Sequence, residues 1–137
     1  MEFEKEISIE ELFLEAKEVC KNTYSPYSNF PVGACCLFEN GKKYKGVNVE
    51  NVSYGITLCA ERNAISTAIA EGEKQGLVAI SIYSPKQKMC VPCGACLQWL
   101  AEFRNSDKDV KVILEDNEGN PKQFTLSEFL PYSFKIK

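Results

Sequence analysis

Cys59-Ala60-Glu61-Arg62 and Pro92-Cys93-Gly94-Ala95-Cys96 contain the residue types of a metal-assisted acid–base site. Three thiolates hold a zinc ion and leave its fourth position open to water. Cys93 and Cys96 stand three apart, so a helical turn puts them on one face. Both stretches are expected to open helices, where the N–H groups and the dipole favour thiolate over thiol. Glu61 then lies beside the ion without ligating it, where a proton carrier belongs. The chain has seven cysteines and no histidine. Zinc must be bound through sulfur, and Ser-His-Asp and Cys-His mechanisms are excluded.

A closed site competes with this open one. Cys90-x-x-Cys93-x-x-Cys96 together with Cys59 would make a four-thiolate zinc site or an iron–sulfur cluster. That arrangement gives Glu61 no task and needs Cys90 to fold back across Pro92. The other thiols read as core. Cys20 lies on an apolar helical stripe, and Cys35 and Cys36, adjacent in a strand, point to opposite faces.

Stepping outward from the thiols, the composition sets bounds. The length of 137 residues fits one domain (1–137), and 45% hydrophobic with 26% charged residues is ordinary for a globular protein. A net charge of −3 without a basic run disfavours binding to a nucleic-acid polymer. The acidic start 1–6 does not resemble a signal peptide, and no apolar run approaches the ~18 residues of a membrane span, so a cytoplasmic address is expected.

The elements that must position the site follow from pattern. Ser8-Ile9-Glu10-Glu11 reads as a capping box ahead of an apolar stripe from Ile9 to Cys20. Tyr24 to Phe30 is turn-rich loop. Pro31 to Phe38 reads as a strand buried on both faces, Asn40-Gly41 as a tight turn, and Lys43 to Val49 as the partner strand. Alternation puts Asn48 and Glu50 on one side, offering an amide and a carboxylate together, or simply a solvated strand end. Thr57 is expected to cap a helix from Cys59 to about Glu71, stopped by Gly72, with Ala60, Ala64 and Ala68 as a ridge fit for close packing. Val78 to Tyr83 and Val110 to Leu114 read as strands, with a helix from Cys93 to about Arg104 between them. Gln123 to Leu126 is a candidate fifth strand, and Thr125-Leu126-Ser127-Glu128 a second capping box. Strands alternating with helices after a hairpin give an α/β domain with a mixed sheet.

C-A-E-R followed by P-C-x-x-C resembles the small zinc-dependent cytidine deaminases of the three-cysteine type, and the likeness runs from about Tyr24 to Phe134. The resemblance implies a three-layer α/β/α fold with about five strands and one zinc per chain on Cys59, Cys93 and Cys96. It implies hydrolytic deamination of free cytidine or deoxycytidine in pyrimidine salvage, in which zinc ionises water and Glu61 relays protons to the base and to the departing ammonia, the general chemistry of zinc deaminases. Phe30, Asn48, Glu50, Ala60 and Phe134 become substrate-binding residues. Within that set the N-x-E pair grips the ribose 3′-hydroxyl, and Phe134 reaches a neighbouring subunit's pocket in a homotetramer. Arg62 and Gln98 support the ligands. Leu97 departs from the family's arginine after the last cysteine, and Val91 from a common serine. Related blasticidin-S deaminases share the zinc motifs but commonly lack N-x-E, so cytidine nucleosides lead.

Overall fold

The hairpin expected around Asn40-Gly41 forms the edge of a five-stranded sheet in the protein's computed structural model, which describes residues 8–105 and 108–136. The acidic start 1–6 lies outside the described residues. β1 (Gly33–Phe38) and β2 (Lys43–Val47) run antiparallel, and β3 (Leu77–Tyr83) pairs antiparallel with β1 on its other side. β4 (Lys111–Glu115) is parallel to β3, and β5 (Pro121–Thr125) antiparallel to β4, giving the order β2-β1-β3-β4-β5. The mixed sheet and its helices are the α/β architecture expected from the alternation of elements.

Burial on both sides of β1 follows from helices on both faces. On one face α1 (Ile9–Val19) lays Leu12, Phe13 and Ala16 over Cys35, Leu37, Ala79 and Ile113. On the other, α2 (Ala60–Ala70) and α3 (Gly94–Glu102) cover Ala34, Cys36, Phe38, Ile80 and Ile82 with Ala64, Ile65, Ala68, Leu97 and Leu100. Cys35 and Cys36 therefore serve two separate cores, as strand geometry requires. The short α4 (Leu126–Phe129) closes the end beside β5 behind the expected Thr125–Glu128 capping box.

Two glycines let the helices sit close. A Cβ on Gly46 would stand 2.3 Å from the Ala64 nitrogen and 2.6 Å from the Ala60 oxygen, so the alanine ridge of α2 lies directly on β2. A Cβ on Gly33 would meet the Ala16 carbonyl of α1 at 2.2 Å. The ridge fixes how deep the start of α2, and with it Cys59, sits against the sheet.

Local caps differ from expectation in two places. Ser8 accepts the Glu11 N–H at 3.1 Å, but the Glu11 carboxylate pairs with Lys43 instead of returning to Ser8. An ion pair with a β2 lysine replaces half of the capping box. Thr57 does not cap α2. Cys59 occupies that position with extended backbone (φ −76°, ψ 153°) and makes no side-chain cap bond. The C-terminal end is as expected, with Gly72 at φ +109° and the Glu73 N–H returning to the Ala68 carbonyl.

Candidate active site

Two helix N-termini converge above one end of the sheet. Cys59 is the N-cap of α2 and Cys93 the N-cap of α3, while Cys96 lies in the first turn of α3. Their three sulfurs lie within 4.8 Å of one another, and no other cluster of metal-ligating side chains exists among the described residues. Sulfurs at the usual distance from a tetrahedral zinc stand ~3.8 Å apart, so rotamer-scale adjustment closes this trio on an ion. The donor set fits zinc: three cysteine sulfurs, no fourth protein ligand among the described residues, and one position left for water. Cys90 lies outside the cluster, half-buried, its thiol pushed up to about 11 by burial. The closed four-thiolate site is therefore not formed.

The electrostatics around the trio divide its sulfurs. Cys59 is drawn down to about 5, first by a hydrogen bond from Cys96 and further by Arg62. Donating that hydrogen bond, and then burial, pushes Cys96 up. Arg62 Nη2 donates to Cys59 Sγ at 3.3 Å, which brings its guanidinium against one sulfur of the trio. The Nε atom of Arg62 is buried with no hydrogen-bond partner among the described residues. Leu97, where the resemblance leads one to expect a second cation, is 6% exposed and packs in the main core, so position 97 brings no charge to the sulfurs.

Glu61, second residue of α2, is 6% exposed. Burial pushes its carboxyl up to about 7, against hydrogen bonding from its own backbone. A cation held by the neighbouring sulfurs pulls it the other way. The Ala60 methyl is fully buried in the core, which leaves the backbone of this residue as the part that can meet a ligand.

A second buried polar group is built on Asn48-Val49-Glu50. Val49 exchanges both backbone bonds with Leu58 at 2.9 Å, which docks the entry to Cys59 directly on this segment. On its other side the Asn48 carbonyl accepts the Tyr24 N–H at 3.2 Å, and the Glu50 N–H donates to the Tyr24 carbonyl at 2.8 Å. Alternation then turns Asn48 and Glu50 inward, at 8% and 9% exposure, while Val49 faces out. They are not a solvated strand end.

Both side chains hold the Tyr24–Phe30 loop. Asn48 Oδ1 accepts the Val32 N–H at 3.0 Å and the Thr23 hydroxyl, and Asn48 Nδ2 donates to the Phe30 carbonyl at 2.8 Å. Glu50 Oε1 accepts the N–H groups of Tyr27 and Ser28 at 2.9 and 3.1 Å, and Oε2 accepts the Ser28 hydroxyl. Those bonds hold the Glu50 carboxyl below the usual carboxylate range, with the Ser28 hydroxyl the main cause. A cavity of about 200 Å³ lined by Tyr27, Ser28, Glu50, Tyr54 and Thr57 opens beside it.

Gln98 and Phe134 meet each other instead of the sulfurs. The Gln98 amide accepts the Phe134 N–H at 3.0 Å and donates to the Phe134 carbonyl at 3.1 Å, a main-chain-like pairing that ties the C-terminal segment to α3. Phe134 is 75% exposed. Sequence reading missed this pairing and the Thr23 and Ser28 hydroxyls. They sit 22 to 36 residues from their partners, and only a turn-forming composition around Ser25-Pro26 hints at a structured loop.

Comparison with known proteins agrees with this geometry. Residues 7–113 match the family model described as the cytidine and deoxycytidylate deaminase zinc-binding region. The chain is 42% identical over 123 residues to the cytidine deaminase of Halalkalibacterium halodurans, covering 90% of this chain and 91% of that one. It is 36% identical over 129 residues to the cytidine deaminase of Mycoplasma genitalium, covering 94% and 97%. Among solved structures, the cytidine deaminase of Burkholderia pseudomallei superposes with a TM-score of 0.85 at 35% identity, over 93% of this chain and all of that one (100%).

Proposed function

The chain belongs to the cytidine and deoxycytidylate deaminase zinc-binding family, and on that premise we propose that it converts free cytidine and deoxycytidine, with water, to the uridine nucleosides and ammonia. One observation carries the reading: three sulfurs from two helix ends with a buried carboxylate two residues after the first of them. The ligands of one zinc per chain are Cys59, Cys93 and Cys96. When bound, zinc supplies the Lewis acidity that lets water ionise near neutral pH.

Adding water at C4 and expelling ammonia requires two proton deliveries, one to N3 of the ring and one to the leaving nitrogen, and both protons come from the attacking water. Glu61 is the acid–base group for both: it takes the first proton from water and passes it to N3, then carries the second from the new C4 hydroxyl to the exocyclic nitrogen, which departs as ammonia as the C4 carbonyl forms. Arg62 holds Cys59 in place and offsets charge around it. The backbone at Ala60 and the ring of Phe30 border the base.

Hydrogen-bond accounting at Asn48 and Glu50 supports a sugar contact. Asn48 Oδ1 already has two donors and Nδ2 uses one of its two N–H groups; Glu50 Oε1 has two donors and Oε2 one. Among the described residues, what remains is one N–H on Asn48 and one lone pair on Glu50 Oε2, the complement of a single hydroxyl that accepts and donates. Reading one sugar hydroxyl suits both the ribo- and the deoxyribonucleoside. It favours cytidine nucleosides over the blasticidin-type substrates of related deaminases. A buried carboxylate at this end disfavours a phosphate there.

Exposed Val52, Tyr54, Ile56 and Leu58 beside the site, with the outward Phe134, support an assembly in which copies of the chain meet at the sites, in keeping with a homotetramer. No described helix is long and apolar enough to cross a membrane. A single deaminase-like domain acting on free nucleosides in cytoplasmic pyrimidine salvage completes the proposal.

The test is turnover of cytidine, deoxycytidine and blasticidin S by the pure protein, followed as ultraviolet loss and ammonia release with zinc measured alongside. Both nucleosides are expected to be converted. In Glu61→Gln, zinc is retained and turnover drops by ~10²–10⁴-fold, the usual contribution of a positioned proton carrier. Conversion of blasticidin S alone would sink the sugar argument.

A further inference from the structure

One hydroxyl in the loop before β1 touches both ends of the proposed nucleoside site. Ser28 Oγ donates to Glu50 Oε2 and accepts the Phe30 N–H at 3.0 Å. The Phe30 carbonyl is held from the other side by Asn48 Nδ2 at 2.8 Å. Asn29, between Ser28 and Phe30, adopts φ +54°, a left-handed conformation that the bonds on either side maintain. The backbone that aims the Phe30 ring is thus gripped by a hydroxyl in front and an amide behind.

Among the described residues Ser28 supplies the sole protein donor to Oε2, the oxygen that keeps a free lone pair. The two N–H groups on Oε1 fix that atom but not the rotation of the carboxylate about it. From these bonds we propose that Ser28 is a positioning residue for substrate: its hydroxyl sets the Glu50 lone pair that meets the sugar hydroxyl and, through the same oxygen, the backbone that places Phe30. The proposal rests on the reading that Asn48 and Glu50 grip a sugar hydroxyl. Without the hydroxyl, Oε2 turns to water and the Phe30 N–H loses its acceptor. Ser28 is exposed, so a threonine methyl has room and keeps the oxygen.

The experiment compares wild type, Ser28→Ala and Ser28→Thr on deoxycytidine and on 2′,3′-dideoxycytidine, which lacks the sugar hydroxyl at issue. A hydrogen bond to a charged group supports a KM increase of about tenfold or more for Ser28→Ala on deoxycytidine, with kcat within about threefold and zinc content unchanged. Ser28→Thr is expected to restore KM. On the dideoxynucleoside the alanine penalty shrinks to about threefold or less, because the Glu50 contact is already gone and the two losses are not additive. An equal penalty on both substrates, no rescue by threonine, or loss of zinc overturns the proposal. The wild-type column tests the underlying reading separately: equal KM for the two substrates removes the sugar contact itself, and the proposal with it.

Discussion

The three thiols at the helix ends and the paired thiols of β1 are the same side chain put to opposite uses. Cys59 sits at a helix N-terminus beside Arg62 and a neighbouring S–H, and is drawn down to about 5. Cys35 sits mid-strand beneath α1, fully buried, and is pushed up to about 12 by desolvation with help from Glu15. Cys36, facing the other core, is raised as well, chiefly by burial. Burial alone does not separate the groups, because Cys96 is as buried as Cys35 and is raised as well; convergence of two helix starts gathers Cys59, Cys93 and Cys96, while strand alternation sends Cys35 and Cys36 to opposite cores. Cys90 lies between the two groups: near the first in sequence, yet protonated like the second.

The strongest way to break the contrast is to remove a helix-end thiol. Cys59→Ser is expected to lose bound zinc and to reduce turnover by well over ~10²-fold, since even outer partners of a metal ligand typically contribute ~10–100-fold. Metal analysis beside the activity assay checks it, and a variant that keeps one zinc per chain and turns over normally removes Cys59 from the ligand set.

A smaller effect tests the strand thiols. The neutral Cys35 is favoured in the fold, so its contribution is complete below the ordinary thiol value of 9.0 and is lost as pH rises toward about 12. Above pH ~9 the unfolded chain releases this proton first, and stability falls by up to ~1.4 kcal/mol per pH unit. Urea midpoints at pH 8.5 and 10.5 should drop further in wild type than in Cys35→Ala. Parallel drops would mean that the strand thiol is not held neutral.

The smallest change belongs to the intermediate case. Cys90→Ala should leave zinc stoichiometry unchanged and turnover within about threefold, the range of substitutions outside a site. Loss of zinc in that variant would place Cys90 with the ligands and erase the boundary between the two groups.

Legibility followed locality. The thiol trio and Glu61 were readable because three-residue and two-residue spacings fix relative position within one turn of helix, and two helix starts then need only to meet. The absence of histidine narrowed the chemistry before any fold was known. The hairpin, the alanine ridge on α2 and the Gly72 stop were equally local. Thr57 misled because a cysteine at the N-cap looks unlike a capping residue; the chain places a ligand there instead of a hydroxyl.

Sequence alone thus determined the sulfur donors, the carboxylate placed two residues after the first of them and the alternation that pairs Asn48 with Glu50. Tertiary structure decided what those two side chains have left to offer. Thr23, Ser28 and Phe30 reach them across 18 to 25 residues, by a loop folding back onto a strand end. It also sent Leu97 into the core and Gln98 onto the Phe134 backbone. Helix and strand periods fix directions along one element. Which donors and acceptors are consumed where two elements dock depends on their approach, and here that approach is set by the Val49–Leu58 and Tyr24–Glu50 backbone bonds.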